Sequence, residues 1–385
     1  MQIAINTRLL LKDKLEGIGW FTFETVKRIV LKHPEHHYFF LFDRDPHPDF
    51  IFSANVTPIV LRPQARHPLL WYLWFEFSVL RFLKKYDVDL LVSPDGYIPL
   101  KSKTPSLCVI HDINFKHHPE GIPFLTRSYY NHFFPRFAQH ATHIFTVSNY
   151  SKNDIAQSFN IPLSKISVAH NGANELYSPV DSTEAQLVRN EITSGKPYFV
   201  FVGALNPRKN VARLIHAFNL FITTSHMDYK LVIVGEPMFM TSDIKEALSN
   251  LNNPSDVVFT GRLQVQKLRR VLGSAAALVY VPYFEGFGIP LVEAMRCHLP
   301  IIASNRTSIP EVVGDAALLV DPFDTQAIAN TMSMVAKDPA LREALAKKSA
   351  KRKNDFSWDN TATSLYSAMQ KVLTENTNRN AKGSL

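Results

Sequence analysis

Short apolar runs recur along the whole chain, each followed by a segment of helix length, and this rhythm limits the possible folds more than any other feature. In the first half the runs are Ile3 to Asn6, Tyr38 to Phe42, Val88 to Val92, Ser106 to His111, His143 to Ser148 and Ile166 to Ala169, the last followed by the turn signal Asn171-Gly172. In the second half they are Phe199 to Gly203, Tyr229 to Gly235, Val257 to Gly261, Ala275 to Val281, Ile301 to Ser304 and Leu318 to Val320. Continuous apolar runs without polar alternation mark strands covered on both faces, the signature of a parallel sheet between helices. Two such sets in 385 residues predict two doubly wound α/β domains. The predicted domains are 1–178 and 190–359, joined near residues 175–195 by the polar stretch Val180 to Lys196. A helix is predicted over Phe21 to Leu31, stopped by Lys32-His33-Pro34, and a last helix over Asn360 to Leu373, before a polar tail, Thr374 to Leu385, expected to fray.

Composition excludes several classes. The chain is 46% hydrophobic and 20% charged, so it can bury a large core. Its two cysteines, Cys108 and Cys297, lie in apolar contexts, which argues against a disulfide framework or a zinc site. The net charge of +8 implies affinity for anions, but no basic run stands out, so nucleic acid is not an expected partner. Met1-Gln2-Ile3-Ala4-Ile5-Asn6 begins directly with strand-like alternation and lacks the layout of a signal peptide, so a cytoplasmic location is expected.

Two regions are unusually aromatic: Leu69 to Phe77, continuing through Arg81 to Tyr86, and Phe124 to Phe137. Neither reaches the roughly 20 apolar residues needed to span a bilayer. Interleaved with lysine and arginine, they read either as helices covering the first sheet or as interfacial helices on the cytosolic face of an anionic membrane.

The richest local signal is Phe284-Glu285-Gly286-Phe287-Gly288-Ile289-Pro290-Leu291-Val292-Glu293. It reads as strand, glycine loop, helix, with Pro290 at the first helical position and Glu293 in the first turn. Glycines let backbone amides approach a ligand, and a helix N-terminus favours an anion. Carboxylates flanking such a site suit sugar or ribose hydroxyls, which donate hydrogen bonds to them. The segment therefore reads as a nucleotide-sugar pocket.

Three further constellations fit it. Gly203-Ala204-Leu205-Asn206-Pro207-Arg208-Lys209-Asn210 follows a strand, and its adjacent cations would neutralise a diphosphate and stabilise it as a leaving group. His111 and Asp112 end an N-domain strand, where His111 is a candidate ligand contact and Asp112 a loop anchor. Gly17-Ile18-Gly19 follows the first strand and reads as a loop before a helix, open to close approach by a phosphate or acceptor. It lacks the full dinucleotide fingerprint, which disfavours an NAD site.

Together with Ile309-Pro310-Glu311-Val312-Val313-Gly314-Asp315-Ala316-Ala317, these ordered motifs resemble the family 4 retaining glycosyltransferases of the glycosyl transferase group 1 type, over nearly the whole chain. The resemblance implies a GT-B fold, two Rossmann-like domains facing a cleft, with the C-terminal helix, about residues 360–375, packing back on the first. It implies an enzyme that moves a hexose from a nucleotide diphosphate-sugar to a glycan or lipid-linked acceptor. Retention would arise by same-face attack, with no metal and no cofactor beyond the donor. GDP-mannose is the favoured donor. By the same resemblance His111, Arg208, Lys209 and Glu285 would be catalytic, and Gly17, Gly19, Gly203, Phe287, Gly288, Ile289 and Glu293 would bind the donor. Ala204 and Trp20 depart from the family pattern, where an arginine is frequent at each position. The alternatives are a nucleotide-sugar epimerase of the same fold and a non-catalytic nucleotide-sugar-binding protein.

Overall fold

The computed structural model describes residues 1–236 and 241–383. The chain divides into two compact units, Met1–Asn171 with Ser357–Leu385, and Gly172–Phe356.

The first unit is built on seven parallel strands: β1 (Gln2–Asn6), β2 (His37–Phe42), β3 (Val56–Val60), β4 (Leu90–Ser93), β5 (Ser106–Val109), β6 (His143–Thr146) and β7 (Ile166–Val168). Their order is β3-β2-β1-β4-β5-β6-β7, so the strand order reverses between β1 and β4. The second unit repeats the plan with β8 (Tyr198–Val202), β9 (Lys230–Val234), β10 (Val257–Gly261), β11 (Ala277–Tyr280), β12 (Ile301–Ser304) and β13 (Ala317–Val320). Its order is β10-β9-β8-β11-β12-β13, with the reversal between β8 and β11. Both are the doubly wound arrangement, whose ligand crevice opens at the carboxyl ends of the strands beside the reversal. Most of these strands are buried along their length, which is why they read as apolar runs rather than alternating ones.

Four boundaries differ from the sequence-based expectation. The second unit begins at Gly172, not near residue 190, and the stretch expected to be a linker contains a helix, Ser182–Thr193. Asp181 starts that helix by accepting the N–H of Glu184 at 2.7 Å, and Ser194, at φ +53°, ends it. Strand β3 was not expected; Pro58 breaks its pattern, but β3 is an edge strand, where a missing N–H is tolerated. The first helix spans Gly17–Lys32, so Gly17 and Gly19 lie inside its first turn rather than in a loop before it. The last helix runs Trp358–Gly383, so the polar tail is helical to Gly383; residues 384–385 lie outside the described residues.

That last helix belongs to the first unit. Its Ala362, Leu365, Met369 and Val372 are buried, Trp358 meets Phe21 with ring centroids 6.4 Å apart, and Asp359 pairs with Lys32 at 2.8 Å. The two aromatic runs form a continuous helical stretch, 68–85, and the helix Phe124–His140. Trp74, Phe75 and Phe82 from one, and Tyr129, Phe134 and Phe137 from the other, join Tyr97 in the core of the unit. Leu69, Phe77, Phe124 and Leu125 of the same helices are exposed. Among the described residues no helix is long and apolar enough to cross a membrane.

Candidate active site

In the second unit, the loops after β8 and β11 emerge side by side because the two strands are hydrogen-bonded neighbours. A short 3-10 turn, Pro207–Lys209, carries the two cations, and Asn210 follows it in the left-handed region at φ +63°. Asn210 anchors this turn by donating to the carbonyls of Val281 at 2.9 Å and Pro322 at 2.8 Å. The Arg208 carbonyl accepts from the Tyr283 N–H at 2.9 Å, which ties the two loops together.

These anchors bring three donors onto one oxygen. Arg208 donates to Glu285 Oε1 at 2.7 Å and to the Phe284 carbonyl at 3.1 Å. Lys209 Nζ donates to the same Oε1, and to the Tyr280 hydroxyl at 2.7 Å. The Tyr280 hydroxyl in turn donates to Glu285 Oε1 at 3.0 Å. Glu285 and Lys209 are buried, and Arg208 is partly exposed. Burial alone would push the Glu285 carboxyl up, but Arg208 and Lys209 outweigh it and hold the group below its ordinary value. Glu285 is therefore an acceptor at neutral pH. Two cations against one carboxylate leave the cluster with one net positive charge, suited to an anion.

The Glu285 peptide is gripped from the turn that follows the adjacent strand β12. Thr307 Oγ1 accepts the Glu285 N–H at 3.2 Å, and the Ser308 hydroxyl donates to the Glu285 carbonyl at 2.9 Å. Farther along, Gly288 at φ +94° turns the chain into the helix Ile289–Arg296. A Cβ on Gly288 would stand 3.0 Å from Leu291 Cδ1, so conformation and space both call for glycine. Glu293 is half-buried in that helix. Burial pushes its carboxyl up to about 7, against a smaller opposing hydrogen bond with Tyr177.

In the first unit, His111 follows β5. Its Nε2 meets the Pro94 carbonyl at 2.9 Å, and its ring stands edge-on to Phe21 at 4.8 Å. Burial pushes the imidazole pKa down, so the ring is neutral near pH 7. Asp112 accepts from Asn114 N at 3.0 Å and anchors the following loop.

Sequence comparison assigns both units. Residues 182–352 match the glycosyl transferases group 1 family, and residues 16–175 match Glycosyltransferase Family 4. The chain belongs to the group 1, family 4 glycosyltransferases.

This glycosyltransferase is 27% identical to the O-antigen chain mannosyltransferase B of Escherichia coli over 96% of its own length and 99% of that protein's. It is 29% identical to the O-antigen chain mannosyltransferase RfbU of Salmonella typhimurium over 70% of its length and 71% of that protein's. In fold it resembles the sucrose-phosphate synthase of Thermosynechococcus elongatus, with TM-score 0.77 and 19% identity, covering 97% and 99% of the two chains. The two parallel sheets are those of the GT-B fold.

The residues singled out in the sequence distribute as follows in the glycosyltransferase. Arg208, Lys209 and Glu285 form the cluster itself. Gly203 lies just beyond β8, its N–H donating to the Val234 carbonyl at 2.9 Å. Gly288 and Ile289 open the helix that carries Glu293. That helix starts at Ile289, so Pro290 is its second residue and Glu293 lies in its second turn, not its first. The Phe287 side chain is buried against Phe356, with centroids 5.8 Å apart. Gly19 lies in a helix where a Cβ would come 3.0 Å from the Leu9 carbonyl oxygen, so close backbone packing by itself explains this glycine. Sequence reasoning missed Tyr280, Thr307 and Ser308. Tyr280 was visible as a polar group ending an apolar strand, and Thr307-Ser308 as polar residues just past the next strand.

Proposed function

We propose that this glycosyltransferase transfers mannose from GDP-mannose to a lipid-linked glycan of the O-antigen type, keeping the anomeric configuration of the donor. The observation that carries the reading is the convergence of Arg208, Lys209 and Tyr280 on one oxygen of Glu285 at the strand-order reversal of the second sheet. The choice of mannose is supported by the mannosyltransferase relative that spans nearly the whole chain.

In this reading the diphosphate lies against Arg208 and Lys209, whose surplus positive charge offsets the negative charge that grows as the bond from C1 to the diphosphate breaks. Each charge-assisted contact of this type contributes about 3 kcal/mol to lowering the barrier. Glu285 Oε2, the oxygen those donors do not use, accepts from a sugar hydroxyl. Glu293 accepts from the ribose hydroxyls, and the amides of Phe287, Gly288 and Ile289 face the sugar and diphosphate. His111 is the remaining residue that we assign to the sugar. The acceptor hydroxyl attacks C1 on the face the diphosphate leaves, and its proton passes to the departing diphosphate oxygen. Neither a metal nor a cofactor is part of this scheme.

We further infer peripheral membrane contact through exposed Leu69, Phe77, Phe124 and Leu125, near Arg127, whose guanidinium lies 5.9 Å from the Phe124 ring centroid.

The test is to supply GDP-mannose and a panel of UDP-sugars with a lipid-linked glycan acceptor, and to assign the product's anomeric configuration by NMR. Mannosyl transfer with retention supports the reading. Conversion of a donor without acceptor would point to an epimerase, and binding of no donor would remove the pocket assignment.

A further inference from the structure

The two sheets share a feature at their strand-order reversals. In the second unit, cations after β8 meet a carboxylate after β11. In the first, Arg8 after β1 meets Asp95 after β4, Nε to Oδ2 at 2.6 Å, and both side chains are more than nine-tenths buried. Arg8 also donates to the Ala65 carbonyl at 3.1 Å and lies over the Tyr97 ring at 4.6 Å. Its partner Asp95 is occupied from every side. Asn6 Nδ2 donates to Oδ1 at 2.7 Å, the Ser93 hydroxyl at 3.1 Å and the Tyr97 N–H at 3.4 Å. A buried, fully satisfied pair at this point fills the crevice where a doubly wound sheet otherwise takes a ligand.

The neighbours of Asp95 give the pair a task. Pro94, immediately before it, offers its carbonyl to His111 Nε2 at 2.9 Å. Gly96, immediately after it, offers its carbonyl to the Cys108 thiol at 3.0 Å. The turn 93–97 is thus pinned through the Asp95 side chain on one side and to the β5 segment on the other. A carbonyl only accepts, so the nitrogen facing it must carry the proton. In a neutral ring the other nitrogen, Nδ1, then bears the lone pair.

We propose that Asp95, held by Arg8, Asn6 and Ser93, is a positioning residue that fixes the Pro94 carbonyl and thereby holds His111 in its Nε2–H tautomer, leaving Nδ1 as the ring's acceptor. This rests on the reading of His111 as a donor-sugar contact. It deepens that reading: with Nε2–H committed to Pro94, His111 can meet a ligand only as an acceptor, through Nδ1.

The test uses the full chain labelled with ¹⁵N-histidine, with the His111 signals assigned from a His111→Ala variant. Wild type shows a single Nε2–H tautomer for His111. In Asp95→Asn, His111 shows mixed tautomers, and kcat falls by about tenfold to a hundredfold. The Kd of the nucleoside diphosphate, bound by the second unit, stays within about twofold, a change too small to register as lost binding energy. Asp95→Glu restores part of the loss. In a His111→Ala background Asp95→Asn has no further effect on kcat. If Asp95→Asn does not fold, the paired replacement Arg8→Met with Asp95→Leu removes both charges and is expected to show the same scrambled tautomer and lowered kcat. A folded variant with an unchanged tautomer and unchanged kcat overturns the proposal. Wild-type turnover in His111→Ala overturns instead the reading on which it rests, while the tautomer of His111 in Asp95→Asn still decides the positioning claim.

Discussion

Thr307 holds the backbone N–H of Glu285 on its hydroxyl at 3.2 Å while its own backbone sits at φ +56°. A β-branched residue in that region is strained, at a cost of about 1–3 kcal/mol, and such strain persists where the surroundings enforce it. The strained residue is thus also the one whose hydroxyl orients the Glu285 loop. Thr307→Gly relieves the strain and removes the hydroxyl. The expected result is a Tm held or raised by about 2 °C together with a turnover lowered about tenfold. Thr307→Ser, which keeps the oxygen, retains most of the activity. Equal turnover in Thr307→Gly and wild type would separate the strain from function.

Lys209 bridges Tyr280 and Glu285 and supplies one of the two cations after β8. Lys209→Ala is expected to lower turnover by roughly 100-fold or more. Steady-state kinetics with saturating donor measure it, and near-normal turnover would take Lys209 out of the mechanism.

Glu293 makes stability depend on pH. Burial raises its carboxyl from an ordinary 4.5 to about 7, so the folded chain holds this proton more tightly than the unfolded chain. That contribution is fully present below pH 4.5 and is lost as pH rises through about 7. Above pH 7 the folded chain carries an ionised carboxylate in a half-buried site. Glu293→Gln should therefore stabilise the protein at pH 8 by about 2 kcal/mol, allowing for partial exposure, and make little difference at pH 4.5. Thermal melts at the two pH values measure this; a uniform shift at both would assign the effect to packing.

The same group predicts a proton release. A carboxylate accepts from both ribose hydroxyls, whereas a protonated group donates one hydrogen and accepts less well. Nucleotide binding at pH 7 should then expel up to about half a proton, because a group with a pKa near 7 is half protonated there. Calorimetry in buffers of different ionisation enthalpy reads it, and a buffer-independent enthalpy would exclude Glu293 from the ribose contact.

Phe124 and Leu125 stand exposed at the start of a helix whose Tyr129, Phe134 and Phe137 rings are buried. Phe124→Glu with Leu125→Glu should reduce co-sedimentation with anionic vesicles several-fold and leave transfer to a detergent-soluble acceptor unchanged. Equal sedimentation of variant and wild type would end the membrane assignment.

Much of this molecule could be read from its residues because buried parallel strands leave continuous apolar runs, and because ligand groups in such sheets follow those runs directly. Arg208, Lys209 and Glu285 were visible for that reason, and the adjacency of β8 and β11 then brings them together. Thr307 and Ser308 were not visible, since their role depends on β12 lying beside β11, and strand order is not written locally. The helix Ser182–Thr193 was missed because its sequence is mostly polar; Asp181 and Glu184 were the available sign of its start. Gly17 and Gly19 read as a loop because glycine spacing does not distinguish a loop from the first turn of a helix, which at Gly19 passes close to the Leu9 carbonyl.

The helix Trp358–Gly383 completes the first unit from the far end of the chain. As the polypeptide leaves the ribosome, residues 172–356 therefore emerge whole before the first sheet receives its final cover. The part that is made first is the last to be finished, and until then the apolar surface that Leu365, Met369 and Val372 will occupy stands open to chaperones.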